Sequence, residues 1–427
     1  MKFVRAGLYA LFAFSVLAHG TVEPWSEALL EIGTAVLLLV WALAVYRNPN
    51  PKIQWSPLNV WFLCFIGVGA AQLAFRLTAY PFLTRVELLK LATYFIIFFL
   101  AAQAFRERVH LVNLAWFLVF FGFGVSLLGI IQHFTSEGKI YWIREPVFGG
   151  DIFGPYVNRN HFGGFVELVL PVGLALLVFR GVRRDVFPLT ALLTIVPVGA
   201  LILSGSRGGI VSLAFELGVL MLLAKLRRGL EGPRVAALAI VGLAAIALIV
   251  WLGTGKVLER FATMATRDLS LARRASMFRG AFHVFLDHPI RGAGLGTLVA
   301  VYPQYETAYD GRVVDHAHND YVEALAETGL LGGICGAMFL WVLFREMRRK
   351  FAAEQGHFSR GLHAAGIMAV SGLLLHSLVD FNLHIPSNAL LFLLQAYLAT
   401  SPVLPSEAPP RRRHEHAPTP AKSSIAG

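Results

Sequence analysis

The stretch from Leu88 to Ala104 reads Leu-Leu-Lys-Leu-Ala-Thr-Tyr-Phe-Ile-Ile-Phe-Phe-Leu-Ala-Ala-Gln-Ala, with Lys90 its only charge. Wound as a helix, a run of this kind reaches the lower end of the roughly 17–25 apolar residues with which a helix crosses a bilayer. Ala35 to Tyr46 and Ala236 to Leu252 carry the same signature without any charge. The whole chain follows suit. Of 427 residues, 56% are hydrophobic and 15% charged, an apolar excess above the roughly 45–50% of soluble domains.

Apolar spans fall near 3–18, 26–46, 58–76, 86–104, 110–132, 162–179, 186–203, 209–225, 235–252, 321–344, 362–380 and 388–400. The expected fold is therefore all-α, a polytopic transmembrane bundle of about 12 spans. Residues 1–400 form its membrane domain, with a large, partly helical loop at 253–319 between spans 9 and 10. Lys2 and Arg5 precede an apolar stretch without a convincing cleavage site, which makes it an uncleaved first span rather than a signal peptide. Cys64 and Cys335 both lie inside apolar runs, so neither a disulfide framework nor a thiolate metal site is indicated.

A formal net charge of +11 raises the question of nucleic acid, but Lys and Arg lie between the apolar runs rather than in one patch. With the N-terminus inside, the segments assigned to the cytoplasm collect Arg47, Lys52, Arg106, Arg108, Arg180, Arg183, Arg184, Lys225, Arg227 and Arg228. They also collect Arg345, Arg348, Arg349 and Lys350, whereas 19–25 and 381–388 on the other face carry no Lys or Arg. This asymmetry places both termini in the cytoplasm. The tail 401–427, rich in Pro, Ala and Ser with Arg411 to Arg413, has the composition of a disordered segment that can touch anionic lipid.

Residues able to do chemistry then fall on the outer face. Loops beyond about 12–15 residues are usually functional or disordered, which directs attention to 253–319. Its first half, Lys256 to His288, mixes Phe278, Phe282 and Phe285 with Arg273, Arg274 and Arg279 at helical spacing, as an amphipathic helix pair with a basic face. Such a face ordinarily lies among lipid headgroups, and an inward arginine would hold a phosphate well. Gly292, Gly294 and Gly296 alternate in a turn that can aim backbone N–H groups at a phosphate, although their spacing matches no known phosphate loop. Arg207, in Ser204-Gly-Ser-Arg-Gly-Gly209, sits near the outer hydrocarbon boundary. Snorkelling is the ordinary explanation of such a charge; the flanking glycines instead suggest open space for a ligand.

Asp315-His-Ala-His-Asn-Asp320 brings His316 and His318 beside Asp320. The pattern fits a metal site or a general base oriented by a carboxylate, and without a third ligand nearby the base is the better reading. His376 and Asp380 stand one helical turn apart at a span end, and Asn158-Arg-Asn-His161 precedes another span that contains Glu167. Together these segments are able to surround one cavity.

In order, Asn158-x-Asn160, Ser206-Arg207-Gly208, Arg274 before Phe278-Arg279-Gly280-Ala281, Pro289-x-x-Gly292-x-Gly294-x-Gly296, His318-Asn319-Asp320-Tyr321 and Glu327-x-Gly329-Leu330-x-Gly332 resemble the O-antigen ligase and polymerase family of bacterial membrane glycosyltransferases. The resemblance runs from about Gly154 to Leu398. Phe278 departs from the tryptophan common in the family, and Arg273 beside Arg274 leaves two arginines for one role.

The resemblance implies metal-independent transfer of a glycan from a polyprenyl-diphosphate carrier to a hydroxyl of a glycan or lipid acceptor, on the periplasmic side of the inner membrane. It implies no cofactor and no nucleic acid. His318 would be the base, Arg207 and Arg274 would bind the diphosphate, and His316, Arg273, Asp320, Arg279 and Asn160 would support them. A lipid-linked glycan transporter, which would place its charges nearer the bilayer midplane, is the competing expectation.

Overall fold

A computed structural model describes residues 1–145, 151–227, 269–307, 311 and 313–402. Twelve longer helices order these residues: α1 (Lys2–Leu17), α2 (Pro24–Tyr46), α3 (Pro57–Ala74), α4 (Pro81–Ala104), α5 (Arg108–Thr135), α6 (Arg159–Val178), α7 (Phe187–Ser204), α8 (Arg207–Leu226), α9 (Leu269–Asp287), α10 (Asp320–Ala353), α11 (His357–His376) and α12 (Pro386–Thr400). Among the described residues there is no strand beyond two isolated bridges. The all-helical expectation therefore holds.

Nine of these helices, α2 to α8 with α10 and α11, are long and apolar enough to cross a membrane. The expected spans at 3–18 and 388–400 form helices of 16 and 15 residues, shorter than a full crossing. The expected span 235–252, the start of the amphipathic segment at 256–268 and the tail from 403 lie outside the described residues. Within the large loop, α9 and a single turn at Leu298–Val301 supply its helical part.

Local sequence sets the helix starts. Proline occupies the first turn of α2, α3, α4, α7 and α12, where its missing N–H costs nothing. Side-chain caps begin α6, α8 and α10: Asn158 accepts from Asn160 N, Ser206 from Gly209 N, and Asn319 from Tyr321 N and Val322 N. All three capped ends meet the end of α11 at one end of the bundle.

The interior is built around α6, which packs against α5, α7, α8, α11 and α12. Every α6 residue from His161 to Val178 is buried, so a segment that reads in sequence like any lipid-facing span is the central helix. The short α12 is likewise buried from Pro386 to Ala399.

The glycine run closes the loop onto the bundle. Gly292, Gly294 and Gly296 all have positive φ (72°, 127° and 73°), which a side chain would strain. Their N–H groups are already committed, Gly292 N to His288 O, Gly294 N to Glu327 O and Gly296 N to a Glu327 carboxylate oxygen at 2.8 Å. Leu298 N donates to the other Glu327 oxygen at 3.0 Å. Glu327 thus occupies the place that a phosphate would take, and the run works as a docking turn. Gln72 of α3 completes the seam, donating to Glu327 O and accepting from Leu295 N. Opposite lies Gly329 (φ 61°, ψ −161°), where α10 breaks.

Candidate active site

Three segments distant in sequence converge on Asp380, which follows α11 and has no exposed side-chain surface. His318, just before α10, donates from Nδ1 to Asp380 Oδ1 at 3.1 Å. Phe381 N donates to the same oxygen at 3.0 Å. Asn160, in the first turn of α6, donates from Nδ2 to Asp380 Oδ2 at 2.7 Å. Arg274 of α9 places Nη2 3.6 Å from Oδ2 and donates from Nη1 to Val379 O at 2.7 Å.

A carboxylate out of water is costly unless its lone pairs are used, and here both oxygens are. Burial alone would push the Asp380 carboxyl up; the His318 hydrogen bond, the neighbouring imidazoles and the Arg274 guanidinium outweigh it and hold the group well below the usual carboxylate range. It is therefore a fixed anion. With Nδ1 engaged by Asp380, His318 presents Nε2 as the free ring nitrogen, the arrangement in which an imidazole can take a proton. His318 also has positive φ (49°), so its backbone is held in a conformation rare for a side-chain-bearing residue.

Phe381 packs the imidazoles together. His316 stacks on its ring at 4.4 Å between centroids, while His318 and His161 meet its edges at 4.8 and 4.9 Å. His161, buried at 4% exposure, has neither ring nitrogen hydrogen-bonded.

His316 and Asp320 take a different part. His316 donates from Nδ1 to Glu323 Oε1 at 2.7 Å, and Glu323 Oε2 accepts from Ala317 N. Asp320 accepts from His384 Nδ1 at 2.8 Å and from Leu383 N. These bonds fasten the His318 turn to the loop after α11. Among the described residues His316, Glu323 and His384 form the one group whose ligand atoms lie close enough, within 4.8 Å, to hold a metal ion. Burial would lower the His384 pKa, but the Glu323 charge and the Asp320 bond raise it to about 10. It is then a cation at neutral pH and would have to lose a proton to coordinate.

Of the remaining expected site residues, Arg207 opens α8 half-buried, and the glycine after it lies against His376, one turn before Asp380. The space beside Gly208 and Gly209, expected to be open for a ligand, is filled by His376 and Glu167. Arg274 reaches Asp380, whereas Arg273 lies within electrostatic range of Tyr302. Arg279, five residues further along α9, is exposed. Exposed Phe278, Phe282 and Leu286 share α9 with these arginines, as the amphipathic reading of this segment expects.

Sequence reasoning passed over Asp380 as the hub, together with Glu323, His384 and Phe381. The spacing of His376 and Asp380 was the available signal, but it gives no sign that His318 and Asn160 share the same carboxylate.

No curated protein matches the chain. Residues 189–337, a stretch that holds Arg207, Arg274 and His318, match the model of the protein family described as O-antigen ligase, the family that the ordered motifs resemble, in a chain whose apolar helices make it a multi-pass membrane protein.

Proposed function

We propose that this protein transfers a glycan from a polyprenyl-diphosphate carrier to an acceptor hydroxyl, without a metal, at the periplasmic face of the bacterial inner membrane. The observation that carries this reading is the meeting of His318 and Arg274 on the buried Asp380. A base and a guanidinium held by one carboxylate can face the two ends of a substitution at the same carbon.

In the proposed step the acceptor oxygen attacks the anomeric carbon and His318 Nε2 takes its proton. The bond from that carbon to the diphosphate oxygen breaks, and the electron pair leaves with the polyprenyl diphosphate. Negative charge grows on the leaving group as the bond stretches, so Arg207 and Arg274 beside it lower the barrier more than they tighten substrate binding. Asp380 compensates the imidazolium as it forms. The apolar face of α9 would rest among the lipid tails, which lets a membrane-borne donor approach from the side. The donor, a glycan or lipid acceptor and the surrounding lipid are the partners, and the positive-inside pattern supports cytoplasmic termini.

The test supplies outward-facing membranes with labelled polyprenyl-diphosphate glycan and candidate acceptors. Wild-type protein is expected to transfer label, while Arg207→Ala and His318→Ala proteins that insert normally are not. Full-rate transfer by either variant, or movement of the donor across vesicles with no transfer, would overturn the proposal.

A further inference from the structure

Two turns below Asn160 on the same face of α6 stands Glu167, fully buried. One turn before Asp380, at the end of α11, stands His376, also buried. His376 donates from Nδ1 to Glu167 Oε1 at 2.8 Å. The two helices are therefore joined twice, by Asn160 to Asp380 and by Glu167 to His376. The upper bond belongs to the site described above. The lower one touches no position assigned to a substrate.

The far edge of the His376 ring points at the start of α8. A Cβ built on Gly208 would collide with His376 Nε2 and Cδ2, and one on Gly209 would lie 3.2 Å from Glu167 Oε1. Gly163 on α6 approaches in the same way, its Cβ position 2.8 Å from Ser206 Oγ, the cap of α8. The Ser206-Arg207-Gly208-Gly209 turn thus rests on the Glu167–His376 pair with no side chain between. The His376 backbone meanwhile reaches the hub, since its carbonyl accepts from Val379 N at 2.9 Å and Asp380 N at 3.1 Å.

We infer that His376, oriented by Glu167, is a positioning residue that holds the Arg207 turn and the Asp380 hub in fixed relation. Its ring backs the arginine proposed to meet the diphosphate, and its carbonyl backs the carboxylate that orients His318. An apolar side chain of similar size would fill the space. Only a hydrogen-bonded imidazole has its ring plane fixed, and that plane sets how close α8 comes. Ionisable groups buried in a helical bundle are costly and persist where they serve a site, which accounts for the pair.

This inference rests on the proposed function, and the experiment separates the two. Purified protein in nanodiscs is titrated with a polyprenyl diphosphate, transfer is assayed in parallel, and folding is followed by thermal melting. No binding by the wild type would sink the proposed function itself.

With binding established, His376→Ala is expected to weaken it about tenfold and to lower transfer further, because the hub also loosens. Gly208→Ala should do the same by pushing the ring away. The double variant Gly208→Ala/His376→Ala should recover part of the Gly208→Ala loss, since the new methyl then has room. Glu167→Gln, which still offers an oxygen to Nδ1–H, should lose less than Glu167→Leu; this pair decides the matter if His376→Ala does not fold. The inference is overturned by wild-type binding and transfer in His376→Ala, by a double variant no better than Gly208→Ala, or by equal effects of Gln and Leu at 167.

Discussion

Replacing Asp380 by asparagine preserves shape and removes the charge on which three distant segments converge. An asparagine offers one oxygen and one NH2 group where the aspartate offers two oxygens. If the amide nitrogen takes the Oδ1 position, it faces the N–H of His318 and of Phe381; in the Oδ2 position it faces Asn160 Nδ2 and Arg274. Either way donors confront donors: in the first orientation the imidazole is relieved only by moving its proton to Nε2, which abolishes the base, and in the second a neutral amide oxygen accepts from it with no charge to compensate the imidazolium. A hydrogen bond to a charged group is worth about 1.5–3 kcal/mol, and each 1.36 kcal/mol is about a factor of ten in rate. Loss of the His318 bond alone then costs about 10- to 150-fold, and loss of the compensation for Arg274 raises this toward a thousandfold or more. Single-turnover transfer in reconstituted vesicles, with thermal melting as the check on folding, reads the effect. The Asp380→Asn protein should bind donor measurably and transfer it at least about a hundredfold more slowly. Transfer within threefold of wild type at unchanged melting would show that the carboxylate does not orient the base.

Four further outcomes follow from the geometry. Arg274→Lys, which cannot reach Val379 O and Asp380 with one flat fork, should raise the donor KM by about tenfold or more in the same assay. Gly292→Ala should lower stability by about 3 kcal/mol, read by melting, because its φ is 72° and the new Cβ would collide with the Glu327 carbonyl. Gly311→Ala, with nothing within 4 Å, should cost only about 1 kcal/mol. His384, raised to about 10 in the fold from an ordinary histidine value, contributes stability fully present below about pH 6.5 and lost as pH rises toward 10. Melting between pH 7 and 10 should therefore fall more steeply in the wild type than in His384→Gln.

The sequence by itself determined that the chain is helical and membrane-embedded, because hydrocarbon demands long uncharged runs and those are visible residue by residue. It also marked where chemistry concentrates, since His318, Arg274 and Asn160 interrupt apolar patterns at a cost that needs a reason. Its motifs, in order, carried a family resemblance that residues 189–337 bear out. What it could not state was partnership. Asp380 is 62 residues from His318 and 220 from Asn160, and no periodicity links positions that far apart. The glycines misled for the same reason: Gly208 and Gly296 advertise close approach, but only the packed bundle shows that His376 and Glu327 do the approaching. Burial is the remaining case, because lipid and protein interior are equally apolar. Composition alone cannot distinguish the central α6 from the helices around it, and the fold decided that by surrounding it.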